Sequence, residues 1–349
     1  MHMADALLSP AVGATLWAGT AAVGGYASKK LKVQIDDRTI PLMGVLGAFI
    51  FAAQMINFTI PGTGSSGHLG GGMILAILLG PHAAFLTMAS VLTVQALFFA
   101  DGGLLALGCN IWNLGVYPCY LVYPLLYRPL AGEGRRPGRI LIASVLGVAV
   151  ALQLGAFSVV LETLLSGRSE LPFGAFVLLM QPIHLAIGIV EGIVTAGIIG
   201  YVAAARPEIL ESVAAARPVG AGVPLAKVLT VFALLAVLTG GAFSWFASTQ
   251  PDGLEWAIER VTGRGELSEA EHGVAAVLRG LQEKTAFLPD YGFKAAAAEP
   301  TPGDAAPAWP GIAAGTSAAG VTGAAIVLVL VGLIGLGIRS AGRRPGSTP

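Results

Sequence analysis

The sequence predicts an all-α, polytopic membrane protein: a seven-helix body followed by two further transmembrane helices that flank an extracytoplasmic insert. Three observations predict it. Hydrophobic residues make up 55% of the 349 residues and charged residues only 11%, with a mean hydropathy of +0.76, a composition whose natural solvent is the bilayer. Eight segments reach the length of about 20 mostly apolar residues that a membrane-crossing helix needs. Lysine and arginine gather in four clusters between those segments, which fixes how the chain threads the membrane.

The eight spans run near residues 10–28, 41–59, 82–100, 105–127, 139–164, 174–204, 225–247 and 319–338. A ninth apolar piece, 69–80, is too short and glycine-rich to assign on length, so orientation decides it. Positive charge on short loops marks the cytoplasmic side. The clusters are Lys29, Lys30, Lys32 and Arg38; Arg128, Arg135, Arg136 and Arg139; Arg206, Arg217 and Lys227; and Arg339, Arg343 and Arg344. All four share one side only if the piece at 69–80 also crosses, or enters as a broken half-span ending at Pro81. The expectation is a multi-pass protein of the cell (inner) membrane with its N-terminus extracytoplasmic and its C-terminus cytoplasmic.

Residues 249–318 differ in character, holding ten of the twenty acids, and read as a water-facing insert. Asp252 with Glu255 forms a capping box before Leu254, Ile258 and Val261, a helix stopped by Gly263. Ser268 with Glu271 repeats the device before Val274, Val277, Leu278 and Leu281, and beyond Lys294 proline and glycine make the chain linker-like. The organisation is therefore a membrane domain at 1–205, a cytoplasmic linker at 206–217, and a helix, insert and helix unit at 218–349.

Zero net charge, with no basic cluster interleaved with stacking aromatics, excludes a nucleic-acid partner. Cys109 and Cys119 lack metal-ligand spacing and read as small core hydrophobes. The start, Met1-His2-Met3-Ala4-Asp5, carries an acid where a signal peptide carries positive charge, so the N-terminus is expected to remain.

That start is itself chemically informative. The α-amine of Met1, the amide nitrogen of His2 and the His2 imidazole can close fused five- and six-membered chelate rings around one metal ion. A second histidine would complete four nitrogens, and a planar set of that kind suits Ni2+ or Cu2+. Amide deprotonation makes affinity rise with pH. His68 sits in the glycine-dense loop IPGTGSSGHLGGG, on the same side of the membrane as the N-terminus by charge parity. The metal ligands are thus expected to be Met1, His2 and His68. Asp101, Asn110 and Asn113 lie near outer span ends, where they can orient an imidazole or cap a helix. His82 belongs to the opposite end, and His272 to the insert. His184 and Glu191 lie two turns apart on one helix and read as bundle-packing polar groups. A remote alternative is an intramembrane metalloenzyme using that pair to activate water, but the sequence has no H-E-x-x-H spacing and no third ligand nearby. Ala14, Ala18 and Ala22 form a small-residue stripe on the first span that admits close approach of another helix, internal or from a partner.

Several spaced motifs together resemble the CbiM/NikM family, the metal-specific substrate-binding components of energy-coupling-factor (ECF) transporters: Met-His at the start, PGTGSSGHLGGG at 61–72, the GPHAAF turn, and QALFFADGGLLALGCNIWNLG at 95–115. The resemblance covers most of residues 1–205. It implies a seven-helix body, an inserted extracytoplasmic N-terminus, and a metal held by nitrogens of Met1, His2 and His68. The stretch GGAFSWFASTQPDGLEWAIERV at 240–261 resembles the PDGLE module that accompanies nickel-type members. The implied function is that of a non-enzymatic subunit capturing Ni2+ for uptake, with no organic cofactor, alongside a membrane coupling (T) subunit and cytoplasmic ATPase (A) subunits. The chain has no G-x-x-x-x-G-K-[ST] loop, so ATP hydrolysis falls to those partners. Leu69 directly follows His68, where cobalt-type members carry serine, histidine and proline together, and this favours Ni2+ over the alternative, Co2+ uptake for cobalamin synthesis.

Overall fold

The computed structural model describes residues 2–132, 136–168, 170–220, 222–265, 267, 272–294 and 309–342. Met1, the second capping box at Ser268 and Glu271, the linker-like stretch 295–308, and Arg135, Arg343 and Arg344 lie outside the described residues.

After a buried N-terminal segment with a short 3-10 turn at Asp5–Leu7, α1 (Pro10–Gln34) begins at Ser9, whose hydroxyl accepts the Val12 N–H, with Pro10 at the first helical position. α2 (Thr39–Gln54) is buried along almost its whole length. The glycine-dense loop then folds as an antiparallel hairpin of β1 (Phe58–Ile60) and β2 (Ser65–Gly67), pairing Phe58 with Gly67 and Ile60 with Ser65. Its second strand is buried, with Ser65 and Ser66 fully so, while Thr59 and the turn at Pro61, Gly62 and Gly64 are exposed. α3 (Gly72–Leu79) carries the chain to α4 (Pro81–Phe99). At about 1.5 Å per residue, the eight-residue α3 is far shorter than a bilayer core and does not span one by itself.

α5 (Leu107–Ile111) continues through a wider i→i+5 winding at Trp112–Tyr127 into α6 (Arg128–Ala131). Pro118 and Pro124 lie in that stretch and lack the N–H that an α-turn would use. α7 (Pro137–Leu165) and α8 (Phe173–Ala205) pack as a long antiparallel pair. The expected linker contains α9 (Pro207–Ala214), whose Ile209 is buried. α10 (Ala226–Gly241) and α13 (Ala314–Gly342) lie against α2, and their own backbones meet at Gly240 and Gly320, where a Cβ on either residue would strike the other chain. Between them come α11 (Gly253–Thr262) and α12 (Val274–Thr285). α11 starts at the expected capping box and stops at Gly263, whose φ is 73°.

Among the described residues α4, α7, α8 and α13 are long and apolar enough to cross a membrane, and α2 and α10 are shorter apolar helices. The basic clusters converge at one end of the bundle. Arg38 donates to the Val223 carbonyl, Arg128 to that of Ala214 at 2.9 Å, and Arg206 to that of Pro224 at 2.8 Å, while Arg339 pairs with Asp37. His2, the hairpin and the insert occupy the other end.

Candidate metal-binding site

The N-terminal segment is seated by backbone bonds. Met3 donates its N–H to Asn110 Oδ1 at 2.8 Å, and its carbonyl accepts from Gly103 N–H at 2.9 Å and Asn110 Nδ2 at 3.3 Å. Asp5 Oδ1 accepts the Ala106 N–H at 3.0 Å. Gly102 makes the close seat possible: its φ is +79°, and a Cβ there would lie 2.9 Å from Asn110 Nδ2 and 3.4 Å from His2 Cβ.

This seating brings the two predicted imidazoles together. The His2 and His68 rings lie 5.2 Å apart between centroids and 11° from parallel. His2 Nδ1 is 3.0 Å from Asp101 Oδ1, while His2 Nε2 is buried without a hydrogen-bond partner among the described residues. His68 Nδ1 lies 3.0 Å from the Leu69 carbonyl, which can only accept, so the proton sits on Nδ1 and Nε2 keeps its lone pair. Burial, then nearby positive charge including that of His2, lowers the His68 pKa to about 4, which keeps the ring neutral and ready for a metal. Burial would raise Asp101, but the charge and hydrogen bond of His2 and the hydroxyl of Tyr291 hold it down at about 2.

Both units build the pocket around these rings, a cavity of about 630 Å³ whose lining includes His2, His68 and Asp101 from the first unit and Trp245, Asp252 and Tyr291 from the second. The turn before α11 docks on the hairpin: Ser66 N–H donates to the Pro251 carbonyl at 2.8 Å, its hydroxyl to that of Gln250 at 2.8 Å, and Trp256 Nε1 to the Thr63 carbonyl at 3.1 Å. From the other side, Tyr291 donates its O–H to Asp101 Oδ2 at 2.5 Å and stacks on Phe99 at 5.2 Å. Gln282 Nε2 reaches the carbonyls of Gly102 at 2.7 Å and Ala96 at 2.9 Å.

The predicted residues divide clearly. His2, His68, Asp101 and Asn110 come together, Asp101 on the His2 ring and Asn110 on the Met3 backbone. Asn113 faces inward instead, donating to Glu162 Oε2 at 3.1 Å. His82 is at the basic end, 3.1 Å from the Tyr120 hydroxyl. Ala14, Ala18 and Ala22 are exposed on α1. Asp252, Gln282 and Tyr291 of the insert escaped sequence reading as site residues; the Asp252 capping signal was visible, but its second role as a pocket wall was not. Among the described residues no group of three or more His, Cys, Asp or Glu side chains is disposed to hold a metal ion.

Comparison with known proteins matches both parts of the chain. Residues 2–209 match the family described as the cobalt uptake substrate-specific transmembrane region, CbiM, and residues 226–340 match the PDGLE domain. The chain belongs to the CbiM family. The putative fused nickel transport protein NikMN of Archaeoglobus fulgidus is 33% identical, over 95% of this chain and 96% of that one. The cobalt transport protein CbiM of Sorangium cellulosum is 30% identical over 51% of this chain and 79% of its own length. A crystal structure of a truncated transition metal transporter superposes with a TM-score of 0.52 at 30% identity, covering 59% of this chain and 99% of that one. The chain is thus a membrane component of nickel or cobalt transport in the CbiM/NikMN family, a fused CbiM-plus-PDGLE protein that transports rather than catalyses.

Proposed function

We propose that this protein is the substrate-binding subunit of an ECF-type importer that captures Ni2+ from outside the cell. The observation that carries this reading is the pair of adjacent, near-parallel imidazoles of His2 and His68 in a pocket at the N-terminus. The Met1 amine, the His2 amide nitrogen and His2 Nδ1 close the two chelate rings, and His68 Nε2 completes four nitrogens. The six-membered ring closes through Nδ1, so on loading that nitrogen gives up its proton and its hydrogen bond to Asp101 in exchange for the ion, with the carboxylate remaining nearby as counter-charge. Asn110 acts through the backbone of Met3.

The exposed stripe of Ala14, Ala18 and Ala22 is the face offered to the membrane coupling subunit, and separate ATPase subunits bind beyond it and drive uptake. The pocket end faces outward and the basic end the cytoplasm, in keeping with the charge rule. The domain organisation is 1–205, 206–217 and 218–349, with α9 as a helical joint.

The test is to add one residue before Met1, which keeps both histidines but moves the free amine. High-affinity Ni2+ binding is expected to disappear, as it should in His2→Ala and His68→Ala, while His82→Ala binds normally. Unchanged binding in the extended chain would sink the chelate. Competing Ni2+ and Co2+ titrations of metal content decide which ion is preferred.

A further inference from the structure

α8 carries two polar side chains into the bundle, His184 and Glu191, 1% and 2% exposed. Seven residues apart, they share one helix face. Glu191 is fully accounted for: its carboxylate oxygens accept the N–H groups of Gly70 and Gly71 at 2.8 Å each and so anchor the loop just beyond His68. His184 is not.

Its Nδ1 lies 2.8 Å from the Met180 carbonyl. A carbonyl only accepts, so Nδ1 carries the proton and Nε2 is left with its lone pair. That nitrogen is buried and has no hydrogen-bond partner among the described residues. A buried polar atom without a partner is rare enough to need a reason. His184 lines a cavity of about 10 Å³ with His68, Asp252, Gly67, Gly70 and Gly253, room for one water-sized body. Gly253 keeps this space open. A Cβ on it would lie 2.6 Å from Ile183 Cγ2 and 3.1 Å from His184 Cε1.

A ring nitrogen bonded to a carbonyl, with the other nitrogen presented bare, is how metal-ligating histidines are held. His68 has the same arrangement. Imidazole and carboxylate donors together suit a divalent first-row ion.

We propose that His184, with Asp252, forms a second, inner station for the transported ion, reached from the capture site through His68. The proposal rests on the capture reading above. The two stations are filled in turn, because two divalent ions this close in a medium of low dielectric repel strongly.

The experiment titrates the full-length protein with Co2+, followed by its visible absorption. In the variant extended before Met1, capture is disabled and a weak residual Co2+ site should remain. Adding His184→Gln should weaken that site at least about tenfold, and Asp252→Asn, which keeps the helix cap, should weaken it too. With the natural N-terminus, His184→Gln should leave Ni2+ capture affinity within about threefold and slow uptake in the assembled transporter about tenfold. The inner station is overturned by a missing residual site, by a residual site indifferent to His184→Gln, or by loss of capture in His184→Gln as large as in His68→Ala. Melting curves of each variant separate these outcomes from misfolding. Failure of the capture reading reads differently: the extended chain would keep its full Ni2+ affinity.

Discussion

Replacing Tyr291 by phenylalanine tests whether the insert tunes the metal site. The hydroxyl donates to Asp101 Oδ2 at 2.5 Å, and the other oxygen of that carboxylate holds His2 Nδ1 at 3.0 Å. The ring itself is fixed by its stack on Phe99, so phenylalanine keeps the packing and removes only the donor. A hydrogen bond to a charged group is worth roughly 1.5–3 kcal/mol. The Asp101 side chain is 22% exposed, so water replaces part of the lost bond and the lower bound applies. About 1.4 kcal/mol is tenfold in affinity, so Tyr291→Phe should weaken Ni2+ binding about tenfold, measured calorimetrically at unchanged stoichiometry. Asp101→Asn removes the counter-charge that stays beside the loaded ion and should cost between about 10- and 100-fold, the usual range for an outer-shell partner of a metal. The double variant should be no worse than Asp101→Asn alone, because both changes act through one carboxylate. Affinity within twofold of normal in Tyr291→Phe, beside a clear loss in Asp101→Asn, would refute the coupling of the insert to the counter-charge at Asp101.

Other consequences follow from the same geometry. Ni2+ affinity should rise steeply between about pH 6 and pH 8: the His68 pKa, lowered to about 4, leaves that ring neutral throughout, so the protons released are those of the other three ligand nitrogens, the Met1 amine, the His2 amide and His2 Nδ1. An affinity flat over that range, in buffered competition titrations, would contradict the amine and amide as ligands. Gly102→Ala should unseat the N-terminal segment, since a side chain at φ +79° costs about 1–3 kcal/mol and would crowd Asn110 and His2. Faster proteolysis near residue 9 and at least about tenfold weaker Ni2+ binding are the expected results.

Much of the fold was legible because its signals are local or additive. Apolar length marks helices such as α7 and α13, and the capping box at Asp252 and Glu255 gave the start of α11 to the residue. Parity of the basic clusters asks for a crossing at 69–80 that hydropathy alone would not assign; the stretch folds as the eight-residue α3 behind the hairpin, too short to span a bilayer by itself. The wide winding at Trp112–Tyr127 was not legible, because two prolines in an apolar run predict a disturbance without its form. At the site, His2 and His68 were found from chelate chemistry and shared sidedness. Tyr291 and Gln282 were not, since they reach Asp101 and Gly102 across about 180 to 190 residues through a packing that no spacing rule encodes.

The missed residues bear on why the two units share one chain. Four nitrogen ligands with a single deprotonated amide neutralise only one of the two charges of Ni2+. A cation left with net charge in a partly dehydrated pocket is costly, and carboxylates are the available compensation. One comes from each unit: Asp101 beside His2, and Asp252 on the turn that docks against the hairpin bearing His68. Each is held by its own local bonds, Asp101 by Tyr291 and Asp252 by the N–H groups of Leu254 and Glu255. Fusion makes docking of the second carboxylate intramolecular, raising its effective concentration at the pocket without a new contact. If the units were cut apart at the 206–217 joint and co-expressed, Ni2+ affinity should therefore depend on the amount of the second unit, and excess second unit should restore it. Affinity independent of the second unit would mean that Asp101 alone balances the ion, and that the insert serves some step other than capture.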